Sequence, residues 1–270
     1  MPSSPNYYET IILNFHNGIY KIFLNRPDKL NTLTEQMCYE LIDAFKTINN
    51  DSSAKVMVLS ANGRAFSAGG DMHELFLQMI NDRRSGKKAF NIPAWLSDAS
   101  QALRNLPVPT IASMHGAAIG FGTTICLQCD IRIASDDAVV GLPFVKLGLI
   151  PEFGSTYILP RLVGIAKALE LVYTGKNIRA DEAREIGLVN MVVPSSELGT
   201  TVQALAENIA EGAPLAVRRA KEALFAGLNV NMKQQLKLET KMMRETLISA
   251  DHEEAVRAFT EKRRPLFKGK

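Results

Sequence analysis

No stretch of about 18 consecutive apolar residues occurs in this 270-residue chain, which excludes a membrane-spanning helix. Met1 to Tyr8 is polar and proline-bearing, with no basic region followed by an apolar one, so no secretory signal is read there. Cysteine is scarce: three residues, an odd number without framework spacing, argue for a reducing compartment rather than a disulfide scaffold. Cys126 and Cys129 form a C-x-x-C, but they lie in an apolar stretch with no second ligand pair, and the chain holds only four histidines. They read as small core residues, and no metal site is expected. Charge of one sign is lacking too. The 31 basic and 28 acidic residues are spread along the chain and leave a net +3, so no sustained field for nucleic acid exists. The one local basic run, Arg83, Arg84, Lys87 and Lys88, reads as a solvated loop, with a contact to a nucleotide phosphate as the sharper alternative.

At 46% hydrophobic, the chain can bury a full core as one large α/β domain with a helical appendage. Thr10 to Phe15 and Ile19 to Leu24 alternate as hairpin strands, with Asn17-Gly18 setting the tight turn. Thr32-x-x-Glu35 reads as a capping box for a helix presenting Met37, Leu41, Phe45 and Ile48 on one face. Val56 to Ser60 is a buried strand. The glycine-rich stretch Asn62 to Asp71 follows and opens onto a helix near Met72. The same grammar recurs: strand Thr110 to Met114, a turn from His115 to Gly122, an apolar helix through Cys129, and strand Ile131 to Ala134. Alternating apolar strands, loops and helices argue for a right-handed βαβ superhelix rather than a sandwich. From about Gly164 helical periodicity dominates over 166–173, 180–186, 197–209, 215–226, 232–248 and 253–259, broken only by a strand at 188–193. Asp251 with Glu254 reads as a cap for the last helix. Residues 1–195 are expected to form the core and 196–270 a helical oligomerisation region.

Two glycine-rich turns that each start a helix can aim two backbone N–H groups at one point, which makes an oxyanion hole. Taken singly they are weak signals, since close helix–strand packing explains most glycine pairs. Glu152 stands alone as a carboxylate within the apolar loop Lys146 to Thr156. One acid or base there suits moving a proton within a substrate better than adding water to it. On its own, Glu152 reads first as a loop carboxylate capping a helix near Ser155 or pairing with Arg161, ahead of a catalytic role. His73 reads as exposed, His115 as a packed residue, Asp130 as satisfying backbone or an arginine, and Asp71 as a helix cap.

Several motifs in order carry a resemblance: Asn25-Arg26-Pro27-Asp28-Lys29-Leu30-Asn31, Phe66-Ser67-Ala68-Gly69-Gly70-Asp71, His115-Gly116-Ala117-Ala118-Ile119-Gly120-Phe121-Gly122, Cys129-Asp130-Ile131-Arg132-Ile133-Ala134, and Phe259-x-x-Lys262-Arg263. Over nearly its whole length the chain resembles the crotonase superfamily of enoyl-CoA hydratases and isomerases. The resemblance implies an α/β spiral of ββα units with a C-terminal helical trimerisation region, assembling as a homotrimer or dimer of trimers. It implies an acyl-CoA thioester substrate, with coenzyme A as part of that substrate and no separate cofactor. By position, Gly70 and Phe121 supply the oxyanion N–H groups. Lys29, Leu30, Ala68, Gly69, Asp71, Met72, Gly120 and Phe144 are assigned to the acyl-CoA path, and Phe259 and Lys262 reach it from a neighbouring subunit.

The hydratases of this family use two glutamates, and their positions here hold Thr124 and Phe144. Hydration needs a base for water and an acid for the α-carbon, so their loss disfavours it. Glu152, after Pro151, matches the catalytic acid of enoyl-CoA isomerases of the peroxisomal type and of the bacterial ring-oxepin type, which carries Asp there. The expected activity is therefore 3-enoyl-CoA to 2-enoyl-CoA isomerisation through a dienolate. Phe121, Phe144, Phe153 and Trp95 would raise the carboxyl pKa, and residues between Phe76 and Trp95 would shape the acyl pocket. Hydration with water held by Thr124, thioester hydrolysis, dehalogenation, decarboxylation and non-catalytic acyl-CoA binding stay open. Lys268-Gly269-Lys270 is not a peroxisomal ending, so the cytoplasm is expected.

Overall fold

The computed structural model describes residues 8–86 and 94–270; Lys87 and Lys88 of the basic run, and most of Met1 to Tyr8, lie outside them. A two-residue turn at Asn17-Gly18 joins β1 (Ile11–His16) to β2 (Ile19–Leu24), with His16 opposite Ile19. Both turn residues have positive φ, 50° and 81°, as a twist-matched hairpin turn requires. Next come α1 (Glu35–Asn50), β3 (Val56–Ala61), a π-helical turn at Met72–Leu77, α2 (Gln78–Ser85), α3 (Ala94–Arg104) and β4 (Thr110–Met114). β5 (Ala117–Ile119), α4 (Phe121–Gln128), β6 (Ile131–Ser135) and β7 (Val139–Gly141) complete the part that holds both glycine-rich turns.

Six strands form one sheet in the order β1-β2-β3-β4-β6-β9, where β9 is Met191–Val193; only the β1–β2 pair is antiparallel. A smaller sheet pairs β5 with β7 and then with β8 (Asn177–Arg179), with α5 (Ser155–Val163) and α6 (Ile165–Thr174) before β8 and α7 (Ala180–Glu185) after it. Strands β3 and β4 are buried on both faces, and side-chain alternation divides them between two apolar clusters. Met57, Leu59, Ala112 and Met114 face the large core with α1, α3 and α4. Val56, Val58, Ile111 and Ile133 face the other way, onto Leu198, Val202, Ala206 and Ala210 of α8 (Leu198–Ala210). The first helix of the C-terminal region thus lies directly on the sheet. Helices α9 (Pro214–Gly227), α10 (Met232–Leu247) and α11 (Ala250–Thr260) follow it, and along them Leu224, Leu236, Met243 and Phe259 are exposed. Among the described residues no helix is long and apolar enough to cross a membrane.

Three local expectations are corrected. The cap of α1 is Thr34, whose hydroxyl accepts from Met37 N–H at 3.2 Å, because the Thr32 hydroxyl instead donates to Asp71 at 2.9 Å. The last helix is capped by Ser249, not Asp251. Asp251 sits inside α11 and accepts the N–H groups of Lys268 and Gly269, which brings the end of the chain back onto the helix. The strand expected at 188–193 is shortened to Met191–Val193. Leu188 and Val189 enter the core as loop, and the Leu188 carbonyl accepts from Arg132 Nε at 2.7 Å.

Candidate active site

The two glycine-rich turns touch. Ser67 and Ala118 form an isolated parallel bridge in which Ser67 N–H donates to Ala117 O and Ile119 N–H donates to Ser67 O, both at 2.9 Å. A side chain at Gly122 would keep them apart, since its Cβ would lie 2.6 Å from Ser67 O. Leu33 engages the neighbours of Gly70 on both sides, donating to Gly69 O at 2.8 Å and accepting from Asp71 N–H at 2.9 Å. Gly70 N–H has no acceptor among the described residues. Nor has Phe121 N–H, the first of α4, because the first helical amides lack intrahelical partners. Two unspent donors at adjoining turns are what an oxyanion hole requires.

Asn31 and Ser67 hold the first turn. Asn31 is fully buried at φ 52°, a left-handed conformation that asparagine tolerates. Its Oδ1 accepts from Arg26 N–H at 2.8 Å, and its Nδ2 donates to Asn62 O at 2.8 Å and Ala65 O at 2.9 Å. Ser67 Oγ donates to Asn31 O and accepts from Gly69 N–H, while Ala68 N–H donates to Leu30 O at 2.9 Å. Leu30, Ala68 and Gly69 are thereby brought together, with Lys29 exposed beside them. Asn31→Ala should therefore unfold at lower denaturant, with stability reduced by on the order of 2–4 kcal/mol, since it strands one buried and two half-buried polar groups and puts alanine at positive φ.

Asp71 caps the π-helical turn through the His73 and Glu74 N–H groups, both at 3.0 Å, and pairs with Arg26 at 3.3 Å. Burial pushes its carboxyl up, but the Glu74 N–H, the Thr32 hydroxyl, the His73 N–H and Arg26 outweigh burial and hold it below its ordinary value. Asp71 is therefore an ionised anchor of the loop. Met72 and His73 are exposed, and the Phe76 ring packs on Gly70. His115 is half-buried, with Nε2 3.0 Å from Gly63 O. Asp130 accepts from Thr110 N–H and pairs with Lys221 at 2.8 Å, a lysine rather than an arginine.

Glu152 faces α4. Thr124 Oγ1, one helical turn beyond Phe121, lies 2.7 Å from Glu152 Oε1 and 3.2 Å from Phe121 O. Glu152 Oε2 is sealed from solvent without a hydrogen-bond partner among the described residues. Burial raises the carboxyl from its ordinary 4.5 to about 7, against the opposing pull of the Thr124 hydroxyl. The alternatives for this side chain are not realised. Helix α5 (Ser155–Val163) is capped by the Glu152 carbonyl, which accepts from Ser155 N–H and Oγ, and Arg161 lies over the Tyr157 ring. Phe121 and Phe153 meet edge to face at 5.6 Å, Phe144 is 8% exposed with its ring beside Gly120, and Trp95 is buried in α3. Part of the segment between Phe76 and Trp95, residues 87–93, lies outside the described residues. Phe259, 85% exposed, and Lys262 both face solvent in this chain. Cys126 and Cys129 are buried free thiols of the core, and burial pushes both up.

With that geometry established, the chain belongs to the enoyl-CoA hydratase/isomerase family, whose profile matches residues 14–270. It is similar to the enoyl-CoA isomerase/hydratase fer4 of Mycosarcoma maydis, 35% identical over 265 residues, 94% of this chain and 93% of the relative. It is similar also to the short-chain-enoyl-CoA hydratase of Clostridium acetobutylicum, 37% identical over 259 residues, 94% of this chain and 95% of that protein. Among solved structures, an enoyl-CoA hydratase from Bacillus anthracis superposes with a TM-score of 0.90 at 36% identity, over 97% of this chain and all of that one. The crotonase fold and the enzyme family expected from the motifs both hold.

Proposed function

We propose that this enzyme shifts the double bond of a 3-enoyl-CoA into conjugation with its thioester. The observation that carries the reading is the buried carboxyl of Glu152 on the face of α4, raised to about 7 and without a partner at Oε2 among the described residues, while Thr124 and Phe144 stand at the positions of the hydratase glutamates. The thioester carbonyl accepts from Gly70 and Phe121 N–H, which acidifies C2. Glu152 as carboxylate removes a C2 proton, charge moves through the dienolate onto oxygen, and Glu152 as acid returns the proton at C4. No water enters the reaction, and no cofactor beyond the coenzyme A of the substrate is needed. Lys29, Leu30, Ala68, Asp71 and Met72 line the approach of the coenzyme. The exposed apolar side chains of α9, α10 and α11 support assembly as a trimer or dimer of trimers, with Phe259 and Lys262 contributed to a neighbour's site.

Incubation with a 3-enoyl-CoA is expected to raise the absorbance of the conjugated thioester. Loss of that absorbance from a 2-enoyl-CoA, with no gain from the 3-enoyl isomer, would overturn the reading in favour of hydration. Hydration is the second reading, supported by the names of relatives such as the Clostridium acetobutylicum hydratase. In that case Thr124 would hold the water and Glu152 would serve as its base.

A pH profile checks the role of Thr124. The base is active when ionised, so kcat/KM should rise with pH and level off above about 7. The Thr124 hydroxyl favours the ionised form, so Thr124→Val should move the midpoint upward by on the order of one pH unit. A midpoint that stays in place would remove the hydroxyl from the tuning of the acid.

A further inference from the structure

We propose that Gln128 is a positioning residue for Glu152, holding the acid-bearing loop against α4 by gripping the carbonyl of Phe153; the inference rests on reading Glu152 as the proton carrier. The side chains at 121, 124 and 128 share one face of α4, at helical spacings of three and four. The helix therefore presents a free N–H at Phe121, a hydroxyl on the Glu152 carboxyl at Thr124, and an amide on the next peptide at Gln128. Gln128 Nε2 donates to Phe153 O and, at 2.7 Å, to Ser100 Oγ on α3, and Ser100 Oγ in turn donates to Phe153 O at 3.1 Å. Both groups are buried: Gln128 is 3% exposed and Ser100 8%.

The loop needs such a grip. Phe153 and Gly154 take consecutive left-handed conformations, φ 59° and 72°, and a phenylalanine adopts that region only under constraint from outside. On its outer side lies a cleft of about 470 Å³ lined by Ala94, Leu96, Ser97, Gln101 and the loop itself, and none of the described residues fills it to keep the loop in place. Release of the Phe153 carbonyl lets residue 153 relax toward ordinary φ and turns Glu152 away from the dry face of α4. Gln128 touches neither carboxyl nor substrate, so its effect passes wholly through the main chain of the loop.

Gln128→Met fills the same volume and cannot donate, and Ser100→Ala removes the weaker half of the grip. For Gln128→Met, kcat for double-bond migration is expected to fall at least tenfold with KM within threefold. The midpoint of the kcat/KM profile should move down from about 7 toward the ordinary 4.5, opposite in direction to Thr124→Val. Ser100→Ala should shift the midpoint in the same direction by less, and it serves alone if Gln128→Met does not fold. A second arm needs no turnover. The fall in stability that ionisation of Glu152 imposes between pH 4.5 and 7 should shrink in both variants toward its size in Glu152→Gln. Variants that keep the wild-type midpoint and the wild-type dependence of stability on pH overturn the proposal and leave Gln128 a packing residue. A wild-type protein with no isomerase activity overturns the reaction assigned above, while the stability arm still decides the grip.

Discussion

Glu152→Gln should lose on the order of 10³-fold or more in kcat for 3-enoyl-CoA isomerisation and at the same time become more stable above neutral pH. The two effects share one cause. A carboxyl whose partnerless oxygen is sealed from water favours its neutral form, so folding raises its pKa from 4.5 to about 7. The linkage has a definite sign. Below about 4.5 the group is neutral in both the folded and the unfolded chain, and its contribution to stability is fully present. Above 4.5 the unfolded chain gains a solvated charge while the folded group stays neutral, and the contribution is lost progressively until the folded group also ionises near 7. Glutamine carries no charge and keeps an acceptor for the Thr124 hydroxyl, so at pH 8 the variant should exceed the wild type by on the order of 3 kcal/mol. Chemical denaturation at pH 5 and pH 8 measures this beside the assay. An inactive variant with no stability gain at pH 8 would mean that the carboxyl is solvated in the free enzyme. Unchanged turnover would remove Glu152 from the reaction altogether.

Gly122→Ala should cost on the order of 10²-fold in kcat although it touches no acid. Its Cβ would meet Ser67 O at 2.6 Å and Ser67 Cβ at 3.0 Å, and both atoms belong to the turn that carries the other N–H donor. Relief requires the start of α4 and the first turn to move apart by several tenths of an ångström. If the two amides share the thioester oxygen as proposed, they then no longer converge on it, and the loss of one such donor costs about 10²–10³ in rate. Overpacking should also lower stability by about 1–3 kcal/mol. Retention of at least a third of wild-type kcat would show that the turns tolerate separation and that the convergence of Gly70 and Phe121 is not what limits the rate.

Much of this was legible in the sequence, and the failures have identifiable causes. The Asn17-Gly18 hairpin was readable because a two-residue turn of that composition has few competing conformations. The large core face of α1 followed from its period. Its cap did not, since Thr32 and Thr34 are the same residue type two positions apart, and what decides between them is Asp71, 39 residues after Thr32, which takes the Thr32 hydroxyl. Caps at the last helix went astray for the same reason: Asp251 looks like a cap until the tail at Lys268 and Gly269 returns to occupy it. The resemblance singled out Glu152 and the two turns. The surroundings of Glu152 were harder to see, because the Thr124 hydroxyl and the Gln128 amide lie 28 and 24 positions upstream, and a glutamine in an apolar helix reads as an interruption of the core. Asn31 passed as one letter of a motif, although an asparagine beside a turn is a usable sign of left-handed backbone. Gly116 and Gly122 were visible as glycines, but the carbonyls that exclude a side chain there belong to residues some 50 positions away.

The mutual stitching of the two turns at Ser67 and Ala118 ties segments about 50 residues apart into one cooperative unit. Fraying of either segment costs the other its two bridging hydrogen bonds, so opening of one favours opening of both. Local opening therefore does not produce a half-competent pocket with one donor intact. The amides of residues 67 and 119 should exchange with heavy water at a common rate, and the molecule should alternate between fully assembled and wholly inert.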